Sequence, residues 1–221
     1  MTATVPTHPA IDVHDMVVVH RVFRRELAAL PPLIRAVPDG DHDRAGIVVA
    51  HVQLVLTGLQ IHHTGEDTVL WPLLHERTDA DALVDAMAAQ HGHIHLGIET
   101  AGTQVDTWAA SGSTADGADL AATLDELRVH LLDHLDAEER DVLPLAAEHL
   151  TAAEWSSVGE HGRDAMTRAQ LPLMFGAILE DADPDERAAI YGAVPAPIRL
   201  VLKTVGARQY RRYIARVRAT G

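Results

Sequence analysis

The amino-acid sequence predicts an all-α protein, an up-down-up-down four-helix bundle with additional C-terminal helices. Apolar residues recur at helical spacing along nearly the whole chain, and no stretch alternates apolar and polar residues for long enough to indicate a sheet. The length of 221 residues suits one domain with an added subdomain. We therefore expect a bundle over residues 1–148 and a helical C-terminal extension over residues 149–221 that packs on it.

Four long amphipathic segments make up the predicted bundle. They run from about Asp12 to Ala36, Asp43 to Leu70, Asp81 to Ala109, and Asp119 to Leu143. Short turn-forming links join them, which favours antiparallel neighbours. We expect Pro72 and Pro144 to bend or stop the second and fourth helices, because proline lacks the backbone N–H that a helix interior requires.

The remainder of the chain is less regular. Thr151-Ala-Ala-Glu154 is a capping-box pattern, which predicts the start of a fifth helix. Several prolines then divide the chain before a last helix over about 198–217, with one side formed by Ile198, Leu202, Val205 and Ile214. We expect this helix to pack on the bundle or to form a homodimer contact, and contact with an anionic surface is the third alternative.

Composition excludes several classes of protein. The chain carries 18 Lys and Arg against 32 Asp and Glu, a net charge of −14, which argues against nucleic acid as the main partner. Because there is no cysteine, any metal must be held by nitrogen and oxygen. The N-terminus lacks a signal-peptide pattern, and no window reaches the roughly 18 apolar residues of a membrane span, so we expect a cytoplasmic protein without a membrane span.

Histidine is unusually frequent, with 15 residues against 8 for Phe, Trp and Tyr together, and some of it is repeated. The segments HHTGEDTVLWPL, from position 62, and HLDAEERDVLPL, from position 134, align without a gap at an offset of 72 residues. Each contains His-x-x-x-Glu, an acid after the Glu, and an apolar-Pro-Leu ending. At an offset of 71, His20 of the first helix corresponds to His91 of the third. The repeat unit is thus a helix pair that supplies His and then His-x-x-x-Glu.

This spacing has a chemical meaning. Residues four apart differ by roughly 40° around a helix and 6 Å along it, so His62 and Glu66 project toward the same neighbour. The equivalent pair is His134 and Glu138. Both pairs lie on stripes that otherwise carry Leu and Val, where an unpaired ionised Glu would be costly to bury. A bidentate carboxylate can bridge two cations, so the repeat predicts a metal centre inside the bundle.

Other side chains offer an alternative to this predicted metal centre or a further ligand for it. Arg24, one turn after His20, is the competing ion-pair partner, and His95, four residues after His91, is a seventh candidate ligand. We expect His51 to be a hydrogen-bonded core residue. Solvent-facing or helix-end positions are expected for His63, His75, His93 and His149. A dry pocket is expected from Phe23, Leu59, Ile94, Ile98 and Leu131.

Residues 12–146 resemble the hemerythrin-like (HHE cation-binding) family, and the tail resembles C-terminal extensions of its bacterial members. The match rests on His20, the two repeated segments, and His91-x-x-x-His95. In that family an oxo- or hydroxo-bridged pair of irons lies inside a four-helix bundle. The resemblance implies one iron held by His91, His95 and His134, the other by His20 and His62, and bridges from Glu66 and Glu138.

The implied ligand set is asymmetric, and this bears on function. One ligand is missing at the His20/His62 iron, which leaves a position open to dioxygen, peroxide or nitric oxide. In the respiratory carriers of the family the last motif is His followed five residues later by Asp, whereas Glu138 follows His134 by four, which favours redox chemistry, sensing or iron handling. The resemblance thus implies a non-haem di-iron protein that binds or reacts with such ligands, with peroxidase, catalase-like or oxidase activity if it turns over.

Two alternatives remain open. One is an oxygen or iron sensor without turnover, and the other is a di-iron oxidase that acts on an organic substrate. The metal is a separate question, because zinc or manganese can occupy the same nitrogen and oxygen ligands.

Overall fold

The computed structural model describes residues 10–219 and contains helices but no strands within them, which confirms the predicted all-α class. The signal-peptide prediction concerns N-terminal residues outside this range. The helices of the described range are α1 (His14–Arg35), α2 (His42–Arg77), α3 (Asp81–Ser111), α4 (114–149), α5 (Ala152–Ala165), α6 (Leu171–Glu180), α7 (Pro184–Gly192) and α8 (196–217).

Helices α1 to α4 form the bundle, in which α1 contacts α2 and α4, and α3 contacts the same two helices. Local signals set the helix ends. The side chain of Asp41 caps α2, and that of Ser113 caps α4, which begins earlier than the predicted Asp119. Gly112 ends α3 with a φ of 64°, a left-handed conformation that favours glycine.

The prolines of the repeat, which we expected to bend or stop their helices, do not stop them. In α2 a π-helical turn spans Glu66–Leu70, and the N–H of Trp71 donates to the carbonyl oxygen of Glu66, five residues earlier. In α4 the equivalent turn spans Glu138–Val142. Each proline then stands in the first turn of a further α-helical segment, where a missing N–H is tolerated. Both π turns begin at a glutamate of the repeat, and such turns are frequent at functional sites.

The polar residues of the repeat form a layer between two apolar clusters. Along α1 the order is Met16, His20, Phe23, where Met16 belongs to one cluster and Phe23 to the other. The remaining bundle helices show the same order: Leu59, His62, Glu66, Leu70 in α2; Met87, His91, Ile94 in α3; and Leu131, His134, Glu138, Val142 in α4. Phe23, Leu59, Ile94 and Leu131 are buried in one cluster, and Ile98 packs against it, as predicted.

The C-terminal extension comprises α5 to α8. The predicted capping box at Thr151 is confirmed, and α5 packs on α2 and its π turn. Helices α6 and α7 pack on α1, whereas α8 packs on α6 and α2. Glu186 of α7 accepts hydrogen bonds from Arg21 of α1, and Arg44 of α2 donates to the carbonyl oxygen of Val217 at the end of α8.

The predicted apolar side of the last helix is only partly correct. Ile214 is buried, but Ile198 and Val205 are 54% and 63% exposed. A π turn over Leu202–Gly206 explains the difference, because its wider winding rotates the residues before it relative to those after it.

One helix, His42–Arg77, is long and apolar enough to cross a membrane by length and composition alone. Within its most apolar stretch of 18 residues, 56% is buried inside the bundle. The helix also carries polar side chains in the interior: those of His51, His63 and Glu66 are buried, and that of His62 is only 9% exposed. These features are typical of a core helix, so the described residues contain no clear membrane span.

Candidate metal centre

The structure brings six of the seven predicted ligands together in the polar layer of the bundle. They are His20 of α1, His62 and Glu66 of α2, His91 of α3, and His134 and Glu138 of α4. His20, Glu66, His134 and Glu138 are completely buried. The side chain of His62 is 9% exposed, the most of the six.

The ligand atoms form two groups that share Glu66, and within each group they all lie within 4.8 Å of one another. The first group is His20, His62, Glu66 and Glu138, and the second is His63, Glu66, His91 and His134. Glu66 directs one oxygen to each group, with Oε1 3.2 Å from Nε2 of His62 and Oε2 3.4 Å from Nε2 of His91.

The second carboxylate also faces both groups. Oε2 of Glu138 lies 3.4 Å from Nε2 of His20 and 3.6 Å from Nε2 of His134. Two donors that are each about 2.0–2.2 Å from one cation stand roughly 3 to 3.5 Å apart at coordination angles near 90 to 110°. The separations around Glu66 and Glu138 therefore fit ligands that share cations better than they fit direct hydrogen bonds.

The hydrogen-bonding state of the site fits a metal as well. Buried polar groups normally have hydrogen-bond partners. Among the described residues, atoms that lack one are concentrated here: Nε2 of His20, His62 and His63, and both carboxylate oxygens of Glu66 and Glu138. Since these atoms all offer lone pairs or an exchangeable proton to the same interior space, the donor set suits two divalent or trivalent cations.

Burial also decides which protonation states this site favours. Burial, with the nearby Glu66 carboxylate, raises the pKa of Glu138 to about 8, and burial likewise raises the pKa of Glu66. Burial and the neighbouring His91 lower the pKa of His134 to about 3. Burial holds the pKa of both His62 and His63 well below the ordinary value. Imidazoles that stay neutral are the form that binds metal, and two adjacent buried carboxylates ionise together only beside a cation.

His91 differs from the other imidazoles. Burial opposes its charge, but hydrogen bonds to Asp67 and Glu66 outweigh burial and raise the pKa of His91 to about 9. Its Nδ1 lies 2.7 Å from Oδ1 of Asp67, so Nε2 is the nitrogen that faces the centre.

Hydrogen bonds from outside the centre orient three of the imidazoles. Nδ1 of His20 lies 2.8 Å from Oε1 of Glu139, Nδ1 of His134 lies 3.0 Å from Oε1 of Gln90, and His91 bonds Asp67 as described. Such bonds fix the ring orientation and tautomer of a metal-binding histidine. Asp67 and Glu139 are the acids that follow the two glutamates of the repeat, a signal present in the sequence whose role was not predicted.

The structure does not bring His95 to the centre. Its side chain is 49% exposed, and its Nδ1 lies 2.8 Å from Oε1 of Gln60. His95 is one turn beyond His91 on α3, and that turn carries its side chain past the polar layer toward solvent.

His63 occupies the place that the resemblance gave to His95. The prediction that His63 faces solvent is wrong, because it is 3% exposed and its ring stacks on that of His91 with centroids 4.2 Å apart. His63 lies about 100° around α2 from His62, and this side of α2 faces α3 and α4, where the ring centroids of His91 and His134 lie 4.2 and 5.1 Å from that of His63.

His51 and Arg24 were also singled out in the sequence. His51 is a buried core residue, as expected, with Nε2 3.1 Å from Glu26 and Nδ1 2.9 Å from the hydroxyl of Tyr213. Arg24 does not compete for the central carboxylates, because it pairs with Glu139 and Asp136 instead.

A four-helix bundle with a duplicated helix pair and converging histidines and glutamates defines a cation-binding bundle protein. Comparison with known families agrees: the model of the hemerythrin HHE cation binding domain matches residues 12–146. The chain belongs to this family, and α5 to α8 lie outside the matched residues.

A curated relative extends the likeness beyond that domain. The "Dimeric xanthone biosynthesis cluster protein R11" of Cryptosporiopsis sp. (strain 8999) is 27% identical over 187 residues, which cover 83% of this chain and 68% of the relative. An alignment of that extent includes part of the C-terminal extension. This relative is fungal, whereas the sequence resemblance suggested bacterial proteins. No solved structure matches the chain significantly.

Proposed function

We propose that the protein is a non-haem di-iron protein that binds or reacts with a small ligand: dioxygen, peroxide or nitric oxide. One observation supports this most directly, namely that Glu66 and Glu138 each face two groups of imidazoles in a fully buried layer. In the proposal, His20 and His62 hold one iron, and Glu66 and Glu138 bridge. The other iron is held by His63, His91 and His134.

Iron is proposed over other metals on the donor set and the family. Five imidazoles and two carboxylates, with no thiolate in the chain, suit iron in either common oxidation state. Zinc and manganese accept the same donors, so metal identity is the first quantity to measure.

The imidazole count differs between the two groups and supports reactivity at one of them. Three imidazoles belong to the His63/His91/His134 group and two to the His20/His62 group. A bound iron with an open position supplies a binding site for a small ligand and the capacity for one-electron chemistry. The His20/His62 side also contacts Phe23, whose ring centroid lies 5.1 Å from that of His62, so an apolar side chain adjoins the group that has fewer imidazoles.

The chain's own residues supply orientation and exclude water. Glu139 orients His20 and is itself held by Arg24. Burial opposes the charge of Glu139, but the hydrogen bonds with His20 and Arg24 outweigh burial and lower its pKa. Clusters of apolar side chains above and below the layer limit solvent access. Such an environment favours neutral small ligands over bulky ones.

Metal analysis with optical spectroscopy tests the proposal. We expect two irons per chain and, in the aerobic protein, near-ultraviolet charge-transfer bands that change on addition of nitric oxide to the reduced form. A content of one metal or none after reconstitution with ferrous iron would contradict it. Multiple turnovers of peroxide would identify an enzyme, whereas stoichiometric ligand binding with a structural change in the extension would identify a sensor.

A di-iron oxidase with an organic substrate is the second candidate, because the fungal relative carries the name of a xanthone biosynthesis cluster. The cavity that adjoins Phe23 has a volume of only about 10 Å³, too small for an organic molecule without rearrangement. Ligand binding measured with aromatic acids against nitric oxide would distinguish the two candidates.

A further inference from the structure

A small interior cavity lies where the bundle meets the C-terminal extension. Its lining includes Phe23 of α1, Val55 of α2, Leu173 and Met174 of α6, and Tyr213 of α8. The volume of about 10 Å³ is about the least that one water molecule requires. The extension thus closes a space that reaches into the bundle.

This cavity is next to the His20/His62 group. Phe23 forms part of its wall, and the centroid of the Phe23 ring lies 5.1 Å from that of His62. Gly58 stands one turn before His62 on α2. A Cβ atom on Gly58 would lie 2.9 Å from Cε of Met174 and 3.7 Å from Cε1 of Phe23. The missing side chain at Gly58 therefore leaves the space that the end of Met174 occupies.

The polar side chains around the cavity form hydrogen bonds with one another. Glu26 and His51 are 3.1 Å apart, Tyr213 bonds the other nitrogen of His51 at 2.9 Å, and Arg25 donates to Glu26 at 2.8 Å. What remains exposed to the cavity is carbon and the Met174 thioether. A site of this size without free polar partners does not stabilise a water molecule.

A groove on the surface lies directly outside. It runs between α6 and α8, has a volume of about 360 Å³, and is lined by Arg208, Arg212 and Arg216 together with Leu173, Val205 and Tyr213. Leu173 and Tyr213 line the groove and the interior cavity alike. These two side chains are the wall between solvent and the interior.

We propose that the C-terminal extension forms a gated entry and binding site for an uncharged apolar diatomic gas, leading from the groove past Leu173 and Tyr213 to Phe23 and the His20/His62 group. Met174 is the gate, because its unbranched thioether can change rotamer at low cost. This inference rests on the proposed function and specifies its ligand class: dioxygen or nitric oxide can cross a dry apolar passage, whereas hydrogen peroxide would lose its hydrogen bonds to water there.

Rapid-mixing kinetics with nitric oxide and the reduced, iron-loaded full chain test the route. Gly58→Ala should fill the space beside Met174 and slow both association and dissociation by about tenfold, an added barrier of about 1.4 kcal/mol. Met174→Ala should accelerate both rates. Because a passage changes rates and not equilibrium, Kd should stay constant in both variants. Gly46→Ala, on the same helix as Gly58, is the matched control, since a Cβ at Gly46 meets nothing within 4 Å.

Xenon binding in crystals of the metal-free protein provides a readout independent of iron. We expect xenon beside Phe23 and Met174 in the wild type and in Met174→Ala, and none in Gly58→Ala. Absence of xenon from Met174→Ala would overturn the binding site, as would unchanged nitric oxide rates in both route variants. A change in Kd would also overturn it, because it would place these residues in ligand coordination.

Hydrogen peroxide tests the ligand class. Its reaction with the iron-loaded chain should proceed at the same rate in Gly58→Ala as in wild type, and equal slowing would overturn the assignment to apolar gases. If the iron-loaded chain binds no nitric oxide at all, the proposed function fails, and the xenon experiment still decides whether the gas site exists.

Discussion

Nδ1 of His91 on α3 donates a hydrogen bond to Asp67 on α2, with the two atoms 2.7 Å apart. The repeat contains the reciprocal contact, in which Nδ1 of His20 on α1 bonds Glu139 on α4 at 2.8 Å. The acid after the glutamate of one helix pair thus orients the lone histidine of the other pair. This exchange explains why both copies of the repeat carry an acid at that position. The lone histidine of each helix pair is oriented by the acid of the other pair.

Alanine substitution of Asp67 or Glu139 should weaken metal binding without emptying the site. Each change removes one orienting bond, and loss of such a partner lowers metal affinity by about 10- to 100-fold. Competition with a chromophoric chelator measures the effect. Asp119→Ala, an exposed acid on α4, is the control and should leave affinity unchanged. Wild-type affinity in both orienting variants would show that these bonds are structural only.

Substitution of the two glutamates should give different metal contents. Glu66 directs a separate oxygen to each ligand group, whereas Glu138 faces both groups with the same oxygen and lies closer to His20, so Glu66→Ala should lose both irons and Glu138→Ala should preferentially lose the His20/His62 iron. Elemental analysis after reconstitution gives the stoichiometry. Glu99→Ala, at an exposed position on α3, should retain wild-type content. Full metal content in both central variants would refute the bridging role.

Histidine substitutions decide between the ligand set of the structure and the one the resemblance implied. His63→Ala should lower metal content, because it removes an imidazole from the buried second group, whereas His95→Ala should keep it. His93→Ala is the matched control on the exposed side of α3 and should also bind metal normally. The reverse result, with His95 required and His63 dispensable, would mean that α2 and α3 rotate when metal binds.

The sequence predicts this site as far as local geometry determines it. His62 with Glu66 and His134 with Glu138 are one helical turn apart, so their convergence follows from helix periodicity and the apolar stripe. His63 could not be found in this way, because its burial depends on how α2 packs against α3 and α4, where its ring meets those of His91 and His134.

The fold shows the same division between local and long-range effects. The helix periodicity and the Thr151 capping box predict elements that the structure contains. Pro72 and Pro144 were expected to bend or stop their helices, but π turns that begin at Glu66 and Glu138 allow continuation. Whether a proline ends a helix depends on what the following turn can bury, and Trp71 and Leu74 are buried in the apolar cluster that contains Met16.

Acid should weaken the attachment of α7 to the bundle through Glu186. Hydrogen bonds from Arg21, from the backbone of Asp183 and from His14 lower the pKa of Glu186 from 4.5 to about 2. A carboxylate with a lowered pKa stabilises the fold fully above its unfolded pKa and loses that contribution as pH falls toward its folded pKa. The contribution of Glu186 should therefore disappear between about pH 4.5 and pH 2.

Comparison with Glu186→Gln measures this effect. At pH 7 the variant should be less stable than wild type by about 1.5 kcal/mol in urea unfolding, the lower end of the range for a hydrogen bond to a charged group. The difference should shrink as pH falls through the window above. Glu126→Gln, at an exposed position on α4, should show no pH-dependent difference. A constant difference from pH 7 to pH 2 would show that Glu186 acts by packing and not by charge.

The contact between α6 and α8 should tolerate no side chain at Gly176. A Cβ there would lie 2.3 Å from Cγ and 2.5 Å from Cβ of Tyr210, atoms near the backbone that cannot move aside as a flexible side-chain end can. Gly176→Ala should therefore separate the helices and destabilise the protein by about 1–3 kcal/mol, even though alanine favours helix. Gly192→Ala, where a Cβ meets nothing within 4 Å, is the control in thermal and urea unfolding. Because α6 and α8 contribute none of the candidate ligands, the variant should keep its metal content and lose only the docking of these helices, so a simultaneous loss of iron would contradict the expected division into bundle and extension.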